Sequence, residues 1–218
     1  MVEANPQPQI RHTRKQLTDA SRAFSQVLRH GAEDKGITIR PDGFILLEDL
    51  LEVPKIKKMR IGRPEVDWIV NNNDKKRFEL REEDGVMFIR ATQGHSIKTV
   101  ETEELLERIE NPFEYHQLIH GTYRDPLPLI LQNGLNRMSR NHMHLAIGLP
   151  GNGVISGMRS SCEIVIDINM TRAMLGEHQM PFHLSTNKVV LCSGLEDGSL
   201  PAKYIRWVLD WVTKRLVH

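Results

Sequence analysis

Four short segments concentrate the arginine and histidine side chains that could do chemistry in this sequence. They are residues 28–31 (LRHG), 89–96 (IRATQGHS), 120–122 (HGT) and 140–145 (RNHMHL). Arginine offers planar, permanently charged donors to phosphate oxygens, and histidine exchanges a proton near neutral pH. No comparable segment pairs two carboxylates or surrounds a serine or cysteine nucleophile. The set implies a substrate that carries phosphate, with more than one phosphate group.

Each segment also has an ordinary explanation. Arg29 and His30 lie near the end of the first predicted helix, where positive charge complements the helix dipole. Residues 90–96 could be a surface turn, although a polar turn after a strand also presents N–H groups to an anion. Residues 120–122 could simply connect a strand to a loop. The segments therefore predict a phosphate site only when they are taken together.

Alternating histidines raise the question of a metal. His142 and His144 would lie on the same face of a strand and could chelate an ion. Zinc would need further ligands, and no cysteine or carboxylate stands at a supporting spacing. The sequence also lacks the pattern of a nucleophile elbow. We therefore expect no metal in the site.

Composition excludes several classes of protein. The 218 residues suit one large domain or two small ones, and 39% hydrophobic residues can build a packed core. A formal net charge of +1 argues against a dedicated nucleic-acid packaging protein. A local basic surface remains open, because local fields rather than net charge steer ligands. One basic run is either a solvated loop or a contact for a phosphate backbone. It consists of Lys55, Lys57, Lys58, Arg60 and Arg63.

Cellular context follows from the cysteines and from the lack of targeting patterns. Cys162 and Cys192 are far apart and are expected to be buried thiols rather than a disulfide, as in a reducing compartment. The sequence has neither a signal-peptide core nor an apolar run that would span a bilayer. We expect a monomer of the cytosol or nucleus with no membrane association.

The elements that must position these residues form two groups, so the fold class is α+β. Residues 1–15 are predicted to be a loose polar arm. Residues 16–98 show the order helix, strand, helix, helix, hairpin, which resembles a winged helix. Residues 99–218 are predicted to form a mixed lobe of short strands and helices. In that lobe we expect a linking helix over 100–111 and a strand followed by a helix over 204–216.

The segments, taken in order, are similar to the RNA (tRNA) 2′-phosphotransferase family. The resemblance runs from about residue 21 to about residue 208, nearly the whole chain. It rests on the segments FSQVLRHGA (24–32), DGF (42–44), IRATQGHS (89–96), HGT (120–122), GL (134–135), MSRNHMHL (138–145), SGMR (156–159) and NKVVL (187–191).

This resemblance implies a fold and an activity. It implies an N-terminal winged-helix RNA-binding lobe followed by an ADP-ribosyltransferase-like lobe that binds NAD. The implied enzyme consumes NAD to remove an internal 2′-phosphate from spliced tRNA, in two steps and without a metal. Two alternatives stay open: ADP-ribosylation of a terminal nucleic-acid phosphate, or RNA binding without catalysis.

The resemblance also implies roles for particular residues. The catalytic set is Arg29, His30, Arg90 and Arg140. The set that contacts NAD is His120, Gly121, Thr122, His144, Leu145 and Arg159. A third NAD-lobe position, glutamate in many relatives, falls at the apolar pair Val189 and Val190. Residue 146 is alanine where many members have serine.

Overall fold

The computed structural model describes residues 10–73, 75–100, 106–149, 158 and 161–218. Contacts along the chain divide it between Thr92 and Gln93 into two compact units, each of mixed α/β structure. The sequence placed this division near residue 98. Residues 93–98 group with the second unit, since the backbone N–H of Asn141 donates to the His95 carbonyl at 2.9 Å and its side-chain amide donates to the Ile97 carbonyl at 3.0 Å.

The described part of the first unit contains four α-helices and a three-stranded antiparallel sheet in the order β1-β3-β2. The helices are α1 (Arg14–Gln26), α2 (Leu47–Glu52), α3 (Pro54–Lys57) and α4 (Arg63–Asn71). The strands are β1 (Ile45–Leu46), β2 (Phe78–Glu83) and β3 (Val86–Ala91).

The predicted hairpin is confirmed. Glu83 pairs with Val86 across a two-residue turn, and Asp84 and Gly85 both have positive φ, 51° and 77°. Two-residue turns of this kind match the twist of the flanking strands and therefore fix their register. The sheet packs on helix residues such as Phe24, which is fully buried and meets Phe78 edge to face at 6.1 Å.

The prediction of a loose arm over residues 1–15 is wrong for the part that the structure describes. Thr13 and Gln16 form a capping box, so α1 begins at Arg14. Immediately before it, the backbone N–H of Arg11 donates to Glu65 Oε1 at 3.2 Å, and His12 Nδ1 lies 3.1 Å from the same oxygen. Residues 1–9 lie outside the described residues.

The described part of the second unit contains a large antiparallel sheet in the order β13-β12-β8-β5-β7-β10-β9-β4, a small β11-β6 sheet and two α-helices. The strands are β4 (Glu107–Arg108), β5 (Leu118–Thr122), β6 (Leu135–Asn136), β7 (Met143–Ile147), β8 (Ile164–Ile168), β9 (His183–Leu184), β10 (Val189–Cys192), β11 (Ser199–Leu200), β12 (Ile205–Asp210) and β13 (Arg215–Leu216). The helices are α5 (Leu127–Asn133) and α6 (Met170–Leu175).

The core of this unit lies on both faces of the large sheet. One cluster includes Leu118, Leu145 and Ile166, and a second, smaller cluster contains Ile119 and Val165. Neighbouring residues of a strand point to opposite faces of the sheet. Both faces are covered here, so β8 is buried at all five positions. The sheet is therefore a covered scaffold, and side chains at its strand ends are held in place.

Two helix predictions in this unit are wrong. In the predicted linking helix, residues 101–105 lie outside the described residues, and Glu107–Arg108 is an edge strand on β9. The buried Ile109 requires this arrangement, since its N–H donates to the Phe182 carbonyl at 2.9 Å.

At the C-terminus the predicted helix is replaced by β13. The Asp210 carboxylate accepts the N–H groups of Val212 and Thr213, and Lys214 has φ 59°, so the chain reverses and pairs with β12. No helix in the described ranges has the length and hydrophobicity needed to cross a membrane.

Candidate active site

Arg29 and His30 lie on one π-helical turn, Val27–Gly31, that continues from α1. Single π-turns within helices are frequent at functional sites. Val27, Leu28 and Gly31 are buried, whereas Arg29 is half-buried and His30 is exposed. The apolar side of the turn is therefore anchored in the core, and its polar side presents the two candidate residues to solvent.

Arg90 lies on β3, next to this turn; Cα atoms of the two elements approach within 8 Å. Its guanidinium group is held from three sides. Nε and Nη2 donate to Glu79 Oε2 at 2.9 and 2.7 Å. Nη1 donates to the Asp42 carbonyl at 3.0 Å, and the group lies 4.6 Å from the centre of the Phe44 ring.

The remaining donors of Arg90 suit a phosphate. Its side chain is only 14% exposed, and its hydrogen bonds to Glu79 and Asp42 use three of the five N–H groups of a guanidinium. Among the described contacts, one N–H on each terminal nitrogen is left, and these two donors can serve the oxygens of a phosphate. Arg90 is thus fixed before any ligand arrives.

The neighbouring arginines are arranged differently. Arg40 and Arg81 also stack on Phe44, at 5.9 and 4.2 Å. Arg40 is paired with Glu83 at 2.7 Å and with Asp42 at 3.0 Å, and the hydrogen bond to Glu83 raises the pKa of Arg40. These charges are balanced by carboxylates and form a rigid base under Phe44.

In the second unit His120 lies near the end of β5. Its Nδ1 is 3.3 Å from the His144 carbonyl. Burial lowers the pKa of His120, the hydrogen bond to the His144 carbonyl opposes that effect, and the nearby charge of Arg140 lowers the pKa further. His120 is therefore a neutral ring at physiological pH.

Gly121 is required by packing. A Cβ atom there would lie 2.9 Å from Met158 Cβ, closer than such atoms approach, and would make a tight contact with Cys162 Cβ at 3.1 Å. The space on the Cβ side of Gly121 is filled by these two side chains. Thr122 follows at the end of the strand and pairs with Ile164.

His144 and Leu145 lie on β7, and both are buried. His144 pairs with Leu191 of β10, and Leu191 pairs in turn with His183 of β9. Residues directly opposite each other share a face of the sheet, so His144 and His183 flank Leu191. Within the described ranges, no group of three or more histidines, cysteines or carboxylates could hold a metal.

Arg140 is exposed on the turn before β7. Its backbone is fixed by two hydrogen bonds to Arg137, each 3.1 Å. The next residue, Asn141, binds the His95 and Ile97 carbonyls. Arg140 is therefore an exposed side chain on a fixed backbone, close enough to His120 to lower the pKa of that ring.

Arg159 and the basic run are the remaining predicted site residues. Arg159 lies outside the described residues. All residues of the basic run are exposed, which is expected both of a solvated loop and of a contact for a phosphate backbone. They lie mainly on α3 and on the turn that leads to α4. Two members are paired with carboxylates: Lys57 with Glu52, and Arg63 with Asp67 at 2.8 Å. The structure brings the π-turn and Arg90 together in the first unit, and Arg140 and His120 together in the second.

Sequence reasoning missed the residues that hold Arg90. The signal was available, because the two-residue turn at Asp84 and Gly85 sets a register in which Glu79 faces Arg90 directly. Oppositely charged residues at such a position are expected to pair. The carbonyl of Asp42 and the ring of Phe44 could not be assigned in this way, because they come from a distant part of the chain.

Comparisons with known proteins agree with the resemblance. The model of the RNA 2′-phosphotransferase, Tpt1 / KptA family matches residues 15–194. A putative tRNA 2′-phosphotransferase of Schizosaccharomyces pombe is 43% identical over 202 residues, which cover 92% of this chain and 53% of that protein. The tRNA 2′-phosphotransferase 1 of Bos taurus is 43% identical over 87% of this chain and 74% of its own length.

A third relative extends the comparison to budding yeast. The tRNA 2′-phosphotransferase of Saccharomyces cerevisiae is 35% identical over 92% of this chain and 87% of its own length. The chain thus spans about half the length of the fission-yeast relative and most of the length of the budding-yeast one.

Proposed function

The chain belongs to the RNA 2′-phosphotransferase, Tpt1 / KptA family, and we propose from this that it is an NAD-dependent enzyme that removes the 2′-phosphate from ligated tRNA. The products are RNA with a 2′-hydroxyl, nicotinamide and ADP-ribose 1″,2″-cyclic phosphate. The structural observation that carries the proposal is the fixed guanidinium of Arg90, with its outer donors available beside the turn that bears Arg29 and His30.

The two units have distinct proposed roles. The first is a winged-helix RNA-binding lobe, which its helices and its β2-β3 hairpin support. Within its basic run, Lys55, Lys58 and Arg60 form no ion pair with any described residue, so they are the members proposed to contact the RNA backbone. The second unit is an ADP-ribosyltransferase-like lobe.

The residues proposed to hold NAD are His120, Gly121, Thr122, His144 and Leu145, with Arg159 as a further contact. The neutral ring of His120 fits this role, because Nδ1 donates to the His144 carbonyl and the unprotonated Nε2 can accept a hydrogen bond from a hydroxyl of the dinucleotide without adding charge. The third NAD-lobe position is apolar and buried at Val189 and Val190. NAD supplies a ribose carbon whose bond to nicotinamide is readily broken.

In the first step the RNA 2′-phosphate attacks that ribose carbon, and nicotinamide leaves. A phosphate is already an anion at neutral pH, so no general base is needed. This agrees with the apolar character of Val189 and Val190, where other members of this fold carry a glutamate. The proposed task of Arg29, Arg90 and Arg140 is to position the phosphate and to offset its repulsion from the NAD diphosphate.

In the second step the ribose 2″-hydroxyl attacks the phosphorus and expels the RNA 2′-oxygen. Charge spreads over the phosphoryl oxygens, and arginine forks stabilise it. The leaving oxygen needs a proton, which His30 is proposed to supply. Its exposure supports this role, because an exposed ring can reach the substrate and exchange its proton with solvent.

One incubation tests the proposed function. The purified protein is mixed with NAD and an RNA oligomer that carries a single internal 2′-phosphate, with the same oligomer lacking that phosphate as the control. We expect 2′-hydroxyl RNA and the cyclic product from the phosphorylated oligomer alone. ADP-ribosylated RNA as the only product would favour a terminal-phosphate ADP-ribosyltransferase. RNA binding without release of nicotinamide would favour a binding protein and overturn the proposal.

A further inference from the structure

A groove of about 620 Å³ lies on the first unit, between α1 and the C-terminal end of α4. One wall is a single face of α1, where Arg14 and Ser21 are two turns apart. The other wall is formed by Trp68 of α4 and by the segment that leads to β2, which carries Lys75 and Arg77. Arg29, His30 and Arg90 do not line this groove, so it is separate from the proposed phosphate site.

The groove is basic. Three cationic side chains line it, and none of its described lining residues is acidic. Burial lowers the pKa of Lys75, and the nearby positive charge of Arg77 lowers it further. Two like charges held this close favour an anion beside them.

The basic end of the groove is also ordered. Asn73 Oδ1 accepts the backbone N–H of Lys75 at 3.2 Å and Nη1 of Arg77 at 2.8 Å. One amide therefore holds both the backbone N–H of Lys75 and the guanidinium of Arg77. Trp68 is half-buried and offers an aromatic surface at the same groove. A cationic track beside an aromatic ring is the combination that binds single-stranded nucleic acid.

We propose that this groove binds a single-stranded part of the RNA substrate, with phosphodiester oxygens at Lys75 and Arg77 and a base against Trp68. The proposal rests on the proposed function, because it assigns that enzyme a second RNA contact away from the 2′-phosphate. The amide groups of Asn71 and Asn72 in the same wall supply donors and acceptors for ribose hydroxyls and base edges.

A pair of neighbouring lysines gives a matched test. Lys75 lines the groove, whereas Lys76 is exposed and does not line it. Lys75→Gln and Lys76→Gln remove the same charge one residue apart. We measure the dissociation constant of a single-stranded RNA of about 15 nucleotides, within the site sizes of such grooves, by fluorescence anisotropy at several salt concentrations.

For Lys75→Gln we expect affinity to fall about fivefold and the slope of log K against log salt to become shallower by about 0.7, the value for one single-strand phosphate contact. Lys76→Gln should match the wild type. Trp68→Leu should weaken binding and Trp68→Phe should retain it, since phenylalanine keeps a stacking surface. Thermal unfolding of each variant checks that the fold is intact.

The outcomes separate this proposal from the proposed function. If the wild type dephosphorylates 2′-phosphorylated RNA but Lys75→Gln and Lys76→Gln bind RNA equally well, the groove proposal is overturned and the function stands. If Lys75→Gln alone loses affinity and salt dependence, the groove is an RNA site. That result would support the groove even if the wild type failed to turn over RNA, in which case only the proposed reaction would fall.

Discussion

Arg90 shows how a single side chain can be prepared for a ligand. A flexible arginine loses rotamer freedom when it binds, and that loss weakens the contact. Arg90 has already lost its rotamer freedom in the folded protein, because Glu79, the Asp42 carbonyl and the Phe44 ring hold the guanidinium. Glu79 is thus a positioning residue in the proposed site, and its own position follows from the register of the hairpin.

The role of Glu79 can be tested by Glu79→Gln. The amide keeps the size of the side chain but loses the charge that aligns Arg90, so we expect kcat for 2′-phosphorylated RNA to fall about tenfold, with KM for NAD unchanged. Glu82→Gln is the matched control, because Glu82 is exposed on the same strand and pairs across the sheet with Met87. Equal kcat values for the two variants would exclude a positioning role for Glu79.

His30 gives a second prediction at the level of the residue. His30→Ala should slow the second step about a hundredfold, the size of a lost proton donor, and slow the first step much less. ADP-ribosylated RNA should then accumulate in a single-turnover reaction. The exposed His116 provides the control variant, His116→Ala. If no intermediate appears and both steps slow equally, His30 does not act as the acid.

Whether a helix or strand could be predicted depends on how far apart in the sequence the residues that determine it lie. The β2-β3 hairpin was predicted correctly, since alternation and turn residues are local signals. The start of α1 also has a local signal, the capping box of Thr13 and Gln16. By contrast, the strand at Glu107–Arg108 depends on pairing with β9, more than 70 residues away, and no local pattern indicates it.

Strand β8 carries a titratable group in its buried interior. Asp167 has no exposed side-chain surface. One carboxylate oxygen accepts the Leu118 N–H at 3.2 Å, and the other lies 3.3 Å from Arg206 Nη1. Burial raises the pKa of Asp167 to about 6, although the charge of Arg206 and the hydrogen bond from Leu118 oppose the shift.

The raised pKa predicts a pH dependence of stability with a definite sign. Between its ordinary value near 4 and about 6, the folded protein holds this proton more tightly than the unfolded chain. The contribution of Asp167 to the free energy of unfolding therefore falls as pH rises through this window and is constant above it.

Asp167→Asn should remove this dependence, because the amide oxygen can still accept the Leu118 N–H and no charge is buried. We expect the variant to gain stability relative to the wild type between pH 4 and pH 6.5, by at most about 3 kcal/mol at about 1.4 kcal/mol per pKa unit. Urea unfolding at several pH values measures the difference. Parallel stability curves for the two proteins would show that Asp167 titrates normally.

At the scale of the whole molecule, the candidate residues are divided between two units. Arg29, His30 and Arg90 belong to the first unit, and Arg140 and the proposed NAD residues belong to the second. The order of motifs along the chain predicted the family, and the family match spans both units. Sequence alone could not predict that Gly121 is required by Met158 and Cys162, because this packing exists only after the strands have assembled.

A further prediction concerns Arg140, the candidate catalytic residue of the second unit. Its side chain is exposed, so Arg140→Ala should leave the free energy of unfolding unchanged while transfer falls at least about a hundredfold. The pKa of His120 should rise in the same variant, since the charge of Arg140 lowers it in the wild type; NMR titration of the ring measures this. Arg215→Ala, on the exposed edge strand β13, is the control. Near-normal turnover by folded Arg140→Ala protein would contradict the assignment.

The hydrogen bonds that tie Arg11 and His12 to Glu65 have a practical consequence for protein production. Glu65 is only 5% exposed, and its carboxylate accepts from the N–H groups of Arg11 and Gly62 and contacts His12. A shortened version that starts at Arg14, the first residue of α1, would strip two of these contacts from a buried carboxylate and delete the Thr13 cap. Truncations intended to help crystallisation should therefore stop before Ile10, because cutting deeper would remove the contacts between α4 and the segment before α1.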